Sequence, residues 1–167
     1  MPDTLVQSPG RVQLCEQMDR AIAVCRDNNS RFALLLFNLH TFREINIQFG
    51  HALGDAVLAR VAELIAGVLR PRDRLFHLGS DEFAVIVTDV KAPLVAELAM
   101  TKILSVINTG HEIAGNTLPV SAVAGAALFP DHAGGRDELL RAADAALHHA
   151  GGEHMDYCMF DASLRLQ

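Results

Sequence analysis

The stretch Leu75-Phe76-His77-Leu78-Gly79-Ser80-Asp81-Glu82-Phe83-Ala84-Val85-Ile86-Val87-Thr88 holds two apolar runs separated by a Gly-Ser dipeptide. Such a dipeptide between apolar runs predicts a two-residue β-hairpin with glycine at the first central position of the turn. In that register Leu78 faces Asp81 and His77 faces Glu82. Asp81 and Glu82 are consecutive on a strand, so their side chains leave on opposite faces. Acids at a hairpin tip are ordinarily solvated turn residues. An antiparallel hairpin in the middle of the chain argues against a doubly wound parallel sheet.

Working outward, Leu14, Met18, Ala21, Ile22 and Cys25 recur at helical spacing and predict a first helix over about 11–28. A buried strand over 33–39 follows. Val57, Leu58, Val61, Leu64, Ile65, Val68 and Leu69 define one face of a helix over 52–70, which Pro71 stops. Beyond the hairpin come a helix over 93–107, a strand over 120–128, a helix over 136–150 and a short strand at 157–160. Gly50 reads as the end of a short helix after Asn46. Helices interleaved with strands, one pair forming a hairpin, indicate a layered α+β domain with a central mixed sheet flanked by helices. No linker or repeat divides the chain. One domain over 1–167 is expected, with an amino-terminal segment and helix (1–30) ahead of the core (31–161).

The composition fits one such domain. Of 167 residues, 50% are hydrophobic and 20% charged, which excludes disorder. Fourteen basic against 20 acidic residues give a net charge of −6. An acidic chain without a lysine-rich block excludes a broad nucleic-acid surface. Lys91 and Lys102 are the only lysines, so arginine supplies the remaining basic residues and the means of local phosphate recognition. Apolar runs such as Ala33 to Phe37 are far too short to span a bilayer. Met1-Pro2-Asp3-Thr4 lacks the features of a signal peptide. Cys15 and Cys25 share the first helix about 15 Å apart, too far to bridge. Reduced thiols, and with them a cytoplasmic location, are expected.

Two further segments bear on the hairpin. Asn38-Leu39-His40-Thr41-Phe42-Arg43-Glu44-Ile45-Asn46 runs off the first strand, and Gly50-His51-Ala52-Leu53-Gly54-Asp55 opens the long helix. With Gly79-Ser80-Asp81-Glu82-Phe83, the chain resembles the GGDEF domain, the diguanylate cyclase family, which condenses two GTP into cyclic di-GMP. The family's Asp-x-Asp-x-Phe-Lys-x-Ile-Asn and Gly-His-x-x-Gly-Asp patterns correspond to these two segments. Its amino-terminal signature survives as Asp3-Thr4-Leu5, Pro9 and Arg11. Gly125-Ala126-Ala127-Leu128-Phe129-Pro130 and Ala143-Asp144-Ala145-Ala146-Leu147 match its closing segments. The resemblance implies a nucleotide-cyclase or palm-like fold.

Joining two nucleoside triphosphates requires holding the base, neutralising the triphosphate, activating a 3′-hydroxyl and releasing pyrophosphate. Carboxylate-held divalent metal normally supplies neutralisation and activation. The resemblance implies Asp81 and Glu82 as catalytic acids. It implies guanine recognition by Asp55 and Asn46, because a carboxylate takes the two donors of the guanine edge and a carboxamide a remaining polar position. Each also has a structural reading: Asp55 as an acid favoured in a first helical turn, Asn46 as a turn residue. Arg43, Gly79 and Ser80 complete the implied substrate contacts.

Magnesium is the implied cofactor, with Asp81, the Leu39 carbonyl and Asn38 as ligands. Here the sequence departs from the family. Asn38 stands where the first aspartate is expected and His40 where the second is. The family's Ala-Lys-x-x-Gly-Arg-Asn segment reads Ala150-Gly151-Gly152-Glu153-His154, without the lysine. Ser80 replaces the motif's second glycine, bringing a Cβ to the turn. Loss of a charge at the metal and of a cation at the phosphates implies a degenerate site. That site would bind GTP or cyclic di-GMP as a regulator; an active cyclase working as a head-to-head homodimer and an interaction module without nucleotide are the alternatives.

Arg70-Pro71-Arg72-Asp73 lies at the separation from Gly79 where the family carries an Arg-x-x-Asp inhibitory motif. Arg70 and Asp73 are therefore the implied cyclic di-GMP effector site, or alternatively an arginine complementing a helix C-terminus. His132, His148, His149 and His154 have no zinc spacing and read as surface residues, with His148 at the core edge. A signature beginning at Asp3 suggests a domain from a larger protein with a sensory or EAL phosphodiesterase domain.

Overall fold

The computed structural model describes residues 10–166. The signature residues Asp3-Thr4-Leu5 and Pro9 lie outside them, while Arg11 opens helix α1 (Arg11–Asn28). Leu14, Met18, Ile22 and Cys25 are its buried stripe, and Asn29, at φ 52°, ends it in the left-handed conformation. Strand β1 (Phe32–Asn38) follows. Helices α2 (Phe42–Phe49) and α3 (His51–Val68) meet at Gly50, whose φ of 91° makes the corner between them. Next come β2 (Arg74–Gly79), β3 (Glu82–Thr88), α4 (Pro93–Ile107), β4 (Gly110–Ile113) and β5 (Asn116–Pro119). Strand β6 (Val123–Phe129), α5 (Arg136–Gly152), β7 (Tyr157–Met159) and a 3₁₀ turn at Ala162–Leu166 complete the fold.

Five strands form the main sheet in the order β2-β3-β1-β6-β7. Its pairs are antiparallel except β6 with β7, which are parallel, so the sheet is mixed as expected. Strand β1 lies at the centre and is buried on both faces up to Asn38. Its alternate residues divide the core. Ala33, Leu35, Phe37 and Leu39 pack with α2, α3 and α4, whereas Phe32, Leu34 and Leu36 pack with α1 and α5.

Two expectations need correction, and one element is new. The hairpin turn is Ser80-Asp81, not Gly79-Ser80: Gly79 pairs with Glu82 and His77 with Phe83, with an irregularity at Leu78. Gly79 (φ 113°) and Ser80 (φ 47°) both take positive φ, which moves the reversal one residue along the chain. The hairpin β4–β5, which forms its own two-stranded sheet, went unanticipated; its tip places Ala114 (φ 51°) and Gly115 (φ 82°) in a turn that ordinarily calls for Asn-Gly. Strand β6 starts at Val123 rather than near 120. The Asn108 side chain takes both backbone groups of Ala122, donating to its carbonyl at 3.2 Å and accepting from its N–H at 2.7 Å, in place of a neighbouring strand.

One glycine fixes how closely α5 approaches the sheet. A Cβ built on Gly125 of β6 would overlap the Leu147 amide nitrogen and lie 2.6 Å from the Leu147 Cα and 2.8 Å from the Ala143 carbonyl oxygen. These are backbone atoms of α5. The helix therefore rests directly on the strand, with no side chain between them.

Candidate functional site

The ends of β1, β3 and β6 and the last turns of α5 enclose a pocket of about 690 Å³. Asn38 and Glu82 are opposite one another across β1 and β3 and project into it from the sheet. Helix α5 supplies Asp144, Leu147, His148, Gly151 and Gly152; the segment before β7 supplies His154, Met155 and Asp156. His40 closes the β1 side, its Nε2 2.7 Å from Ser121 Oγ.

The structure thus gathers some of the expected residues and separates others. Glu82, Asn38 and His40 meet at the pocket, and Gly151 lies in its α5 wall. Asp81 sits in the hairpin turn, where its carbonyl accepts the Leu39 N–H at 2.9 Å and prolongs the β1–β3 ladder by one bond. Gly79 and Ser80 form the tip beside it. His77 Nε2–H donates to the Ser80 carbonyl at 3.0 Å, and the His77 ring leans on Phe83 with centroids 4.8 Å apart. Ser80 holds a backbone conformation that costs an L-residue about 1–2 kcal/mol. Ser80→Gly is expected to raise stability in urea by up to about 1 kcal/mol, since glycine's unfolded-chain entropy returns part of the relief. A loss of stability would show that the Ser80 side chain has a structural role.

Asn46, Asp55 and Arg43 lie on α2 and α3, away from the pocket walls. Asn46 packs against Gly54 so closely that a Cβ on Gly54 would collide with Asn46 Oδ1 and stand 2.9 Å from its Cγ. That Oδ1 is buried without a hydrogen-bond partner, an uncommon condition for a carboxamide oxygen. Asp55 is half-buried on α3. Because α3 begins at His51, no acid lies in its first turn, and the helix-dipole explanation of Asp55 falls away. Arg43 is exposed.

The residues do not assemble a strong magnesium site. Asn38 offers a neutral amide oxygen, and the Leu39 carbonyl already accepts the Phe42 N–H at 3.1 Å. Among the described residues, no three His, Cys, Asp or Glu side chains could together hold a metal ion. The Asn38 amide and the Leu39 carbonyl are weak donors for a hard cation that favours carboxylate oxygen.

Arg70 and Asp73 form an internal clasp. Asp73 is buried, and its carboxylate accepts from the Arg70 backbone N–H (3.0 Å), Nε (3.2 Å) and Nη2 (3.1 Å). Arg70 Nη2 also donates to the Thr88 carbonyl at 2.7 Å, tying the end of α3 to the end of β3. A ligand gripped by this arginine competes with those bonds. Arg70→Ala leaves a buried carboxylate with its side-chain donors removed and is expected to cost about 2–3 kcal/mol in a denaturant titration. A cost under about 0.5 kcal/mol would mean that the clasp is dispensable.

Sequence reasoning missed parts of the pocket. His148 and His154 are both exposed and border the pocket, so His148 does not sit at the core edge. Asp144, Met155 and Asp156 also line it; Met155 and Asp156 continue the segment in which the lysine is missing, so reading two residues further would have found them. His132 is structural: its Nδ1 accepts the Leu128 N–H at 2.9 Å. All three cysteines are free. No helix among the described residues is long and apolar enough to cross a membrane.

The family profile described as "Diguanylate cyclase, GGDEF domain" matches residues 1–156. The bifunctional diguanylate cyclase/cyclic di-GMP phosphodiesterase MucR of Pseudomonas aeruginosa is 34% identical over 163 residues, which is 97% of this chain and 24% of MucR. The diguanylate cyclase TpbB of the same species is 33% identical over 147 residues, 87% of this chain and 34% of TpbB. The chain therefore spans about a quarter of MucR and about a third of TpbB. Among solved structures, a form of TpbB comprising only its GGDEF domain superposes with a TM-score of 0.93 at 29% identity, covering 99% of this chain and 98% of that one. The GGDEF domain of DgcB from Caulobacter crescentus, solved with c-di-GMP, shares the fold with a TM-score of 0.82 at 22% identity, covering 92% and 91%.

Proposed function

The chain belongs to the GGDEF, diguanylate cyclase, domain family, and from that premise we propose that it is a regulatory nucleotide-binding module of cyclic di-GMP signalling with a depleted catalytic site. One observation carries this reading: the pocket sets the amide of Asn38 opposite Glu82 and has no lysine or arginine among the described residues that line it. Condensation of two triphosphates develops negative charge at the transferring phosphoryl group, and catalysis depends on cations placed to meet it. This pocket supplies carboxylates and imidazoles instead.

In this reading Asp55 and Asn46 hold the guanine edge. The unpartnered Asn46 oxygen supports that role, because a ligand N–H would satisfy it. Magnesium accompanies the nucleotide only weakly, and Asp81 and Glu82 retain their place without the charge partner that turnover needs. Arg70 and Asp73 take cyclic di-GMP at the expense of their clasp. The bifunctional name of MucR and the small share of MucR and TpbB that the chain covers support a larger parent protein with a sensory or EAL domain.

An active cyclase is the competing reading, favoured by the intact Asp81-Glu82-Phe83 sequence; it requires a homodimer that presents two loaded sites to each other. Calorimetry with GTP and with cyclic di-GMP in magnesium buffer, followed by chromatography of the reaction mixture, separates these readings. Binding without product is expected. Steady formation of cyclic di-GMP would establish the cyclase instead, and absence of binding by both nucleotides would leave an interaction module.

A further inference from the structure

We propose that Gly54 is a positioning residue for base recognition: the space left by its missing side chain seats the Asn46 carboxamide and so sets the preference for guanine. The proposal rests on the reading that Asn46 and Asp55 hold the guanine edge, and it names what keeps one of those two groups in place.

Gly54 is buried inside α3, one turn beyond the corner at Gly50. Its backbone is helical and not at positive φ, a conformation open to any L-residue. Alanine is the better helix former, so conformation does not account for a glycine here. Space does. The atoms that a Cβ would meet are Asn46 Oδ1, Asn46 Cγ at 2.9 Å and Phe42 Cε1 at 3.3 Å. All three belong to side chains of α2, and two of them to the carboxamide.

Packing is what holds that carboxamide. Its oxygen is buried without a hydrogen-bond partner, so no donor among the described residues fixes its orientation. The backbone at the corner fixes the gap instead. The Asn46 carbonyl accepts the Gly50 N–H at 2.9 Å, and the Gly50 carbonyl accepts the Gly54 N–H at 3.2 Å. One helical turn on either side of Gly50 thus sets Asn46 over Gly54, and Asp55 is the next residue along α3. A methyl at position 54 leaves this backbone frame standing and displaces the carboxamide, the end of a rotatable side chain. The consequence is a carboxamide turned away from the base rather than an unfolded domain.

The test is calorimetry of the full chain with GTP and with ATP in magnesium buffer, for the wild type, Gly54→Ala, Asn46→Ala and the double variant, with a thermal melt of each. ATP carries the same triphosphate without the guanine edge. Gly54→Ala is expected to fold, to bind GTP about tenfold more weakly and to bind ATP as the wild type does, since a hydrogen bond is lost at the base and nothing at the phosphates. Asn46→Ala should match it. The double variant should be no weaker than Asn46→Ala alone, because the methyl then has no carboxamide to displace.

A glycine needed only for packing would lower the melting temperature and leave the ratio of GTP to ATP affinity unchanged. That result overturns the proposal, as does a Gly54→Ala loss that persists in full in the Asn46→Ala background; the guanine reading survives both. If Gly54→Ala does not fold, the double variant is expected to fold, because the colliding carboxamide is gone, and its failure to fold overturns the proposal. An Asn46→Ala variant that binds GTP like the wild type, or a wild type that binds no GTP, overturns the guanine reading and the proposal with it.

Discussion

Gly125→Ala is expected to destabilise the domain by about 3 kcal/mol, measured as a shift in the urea midpoint. The added methyl meets the Leu147 amide nitrogen and Cα and the Ala143 carbonyl, all backbone atoms that cannot rotate away. Relief requires α5 to lift from β6 along its length. Leu139, Ala142, Ala143, Ala146 and Leu147 would then lose contact with the sheet face formed with Phe32, Leu34 and Leu36. Gly67→Ala provides the contrast. Gly67 lies near the end of α3 with nothing within 4 Å of its ideal Cβ, so alanine there should stabilise by up to about 1 kcal/mol through helix propensity. A Gly125→Ala loss below about 1 kcal/mol would mean that α5 is not held against the strand.

Asn38→Asp is expected to convert a protein that responds weakly to magnesium into one that responds strongly. Asn38 and Glu82 are directly opposite across β1 and β3, where side chains of an antiparallel pair are about 5 Å apart or less. Without metal, the new carboxylate faces another in the same pocket and stability falls, because two acids at that separation resist joint ionisation. Saturating magnesium should restore the loss and exceed it, since a ligand present at a hundred times its Kd stabilises by about 2.7 kcal/mol. Metal-dependent GTP binding should tighten about tenfold in parallel. Thermal melts with and without magnesium are the readout, with the wild type as reference. A variant whose melting temperature ignores magnesium would mean that this corner of the pocket is not where the family's metal belongs.

The parts of the fold legible in the sequence were those carried by a strong local period. The stripe Leu14, Met18, Ile22, Cys25 gave α1 to within a residue, and the run from Val57 to Val68 gave most of α3. The β4–β5 hairpin escaped because its strands have four residues each and its tip is Ala-Gly, a weak turn signal. The hairpin at Gly79 was legible as an element and misread by one residue in register. Chain geometry alone could not show that serine would accept positive φ at position 80. At the site, Asn38 and Glu82 were legible because a motif fixes them. Asp144 and His148 were not, because they reach the pocket through the seating of α5 on Gly125, and His154 and Asp156 were not, because the turn after α5 brings them there. Their joint charge is a property of packing rather than of spacing.

Asn108 has a further consequence. By bonding both backbone groups of Ala122, it closes the base of the excursion that carries β4 and β5. Ile113 and Leu118 anchor that excursion to the core, while its tip at Ala114 and Gly115 points away from them and is exposed. Because the base is already shut, lengthening the tip costs only about 0.6 kcal/mol for each doubling of the loop. The tip is therefore a permissive port: a reporter peptide or small domain grafted between Ala114 and Gly115 would leave the strands that shape the pocket in register.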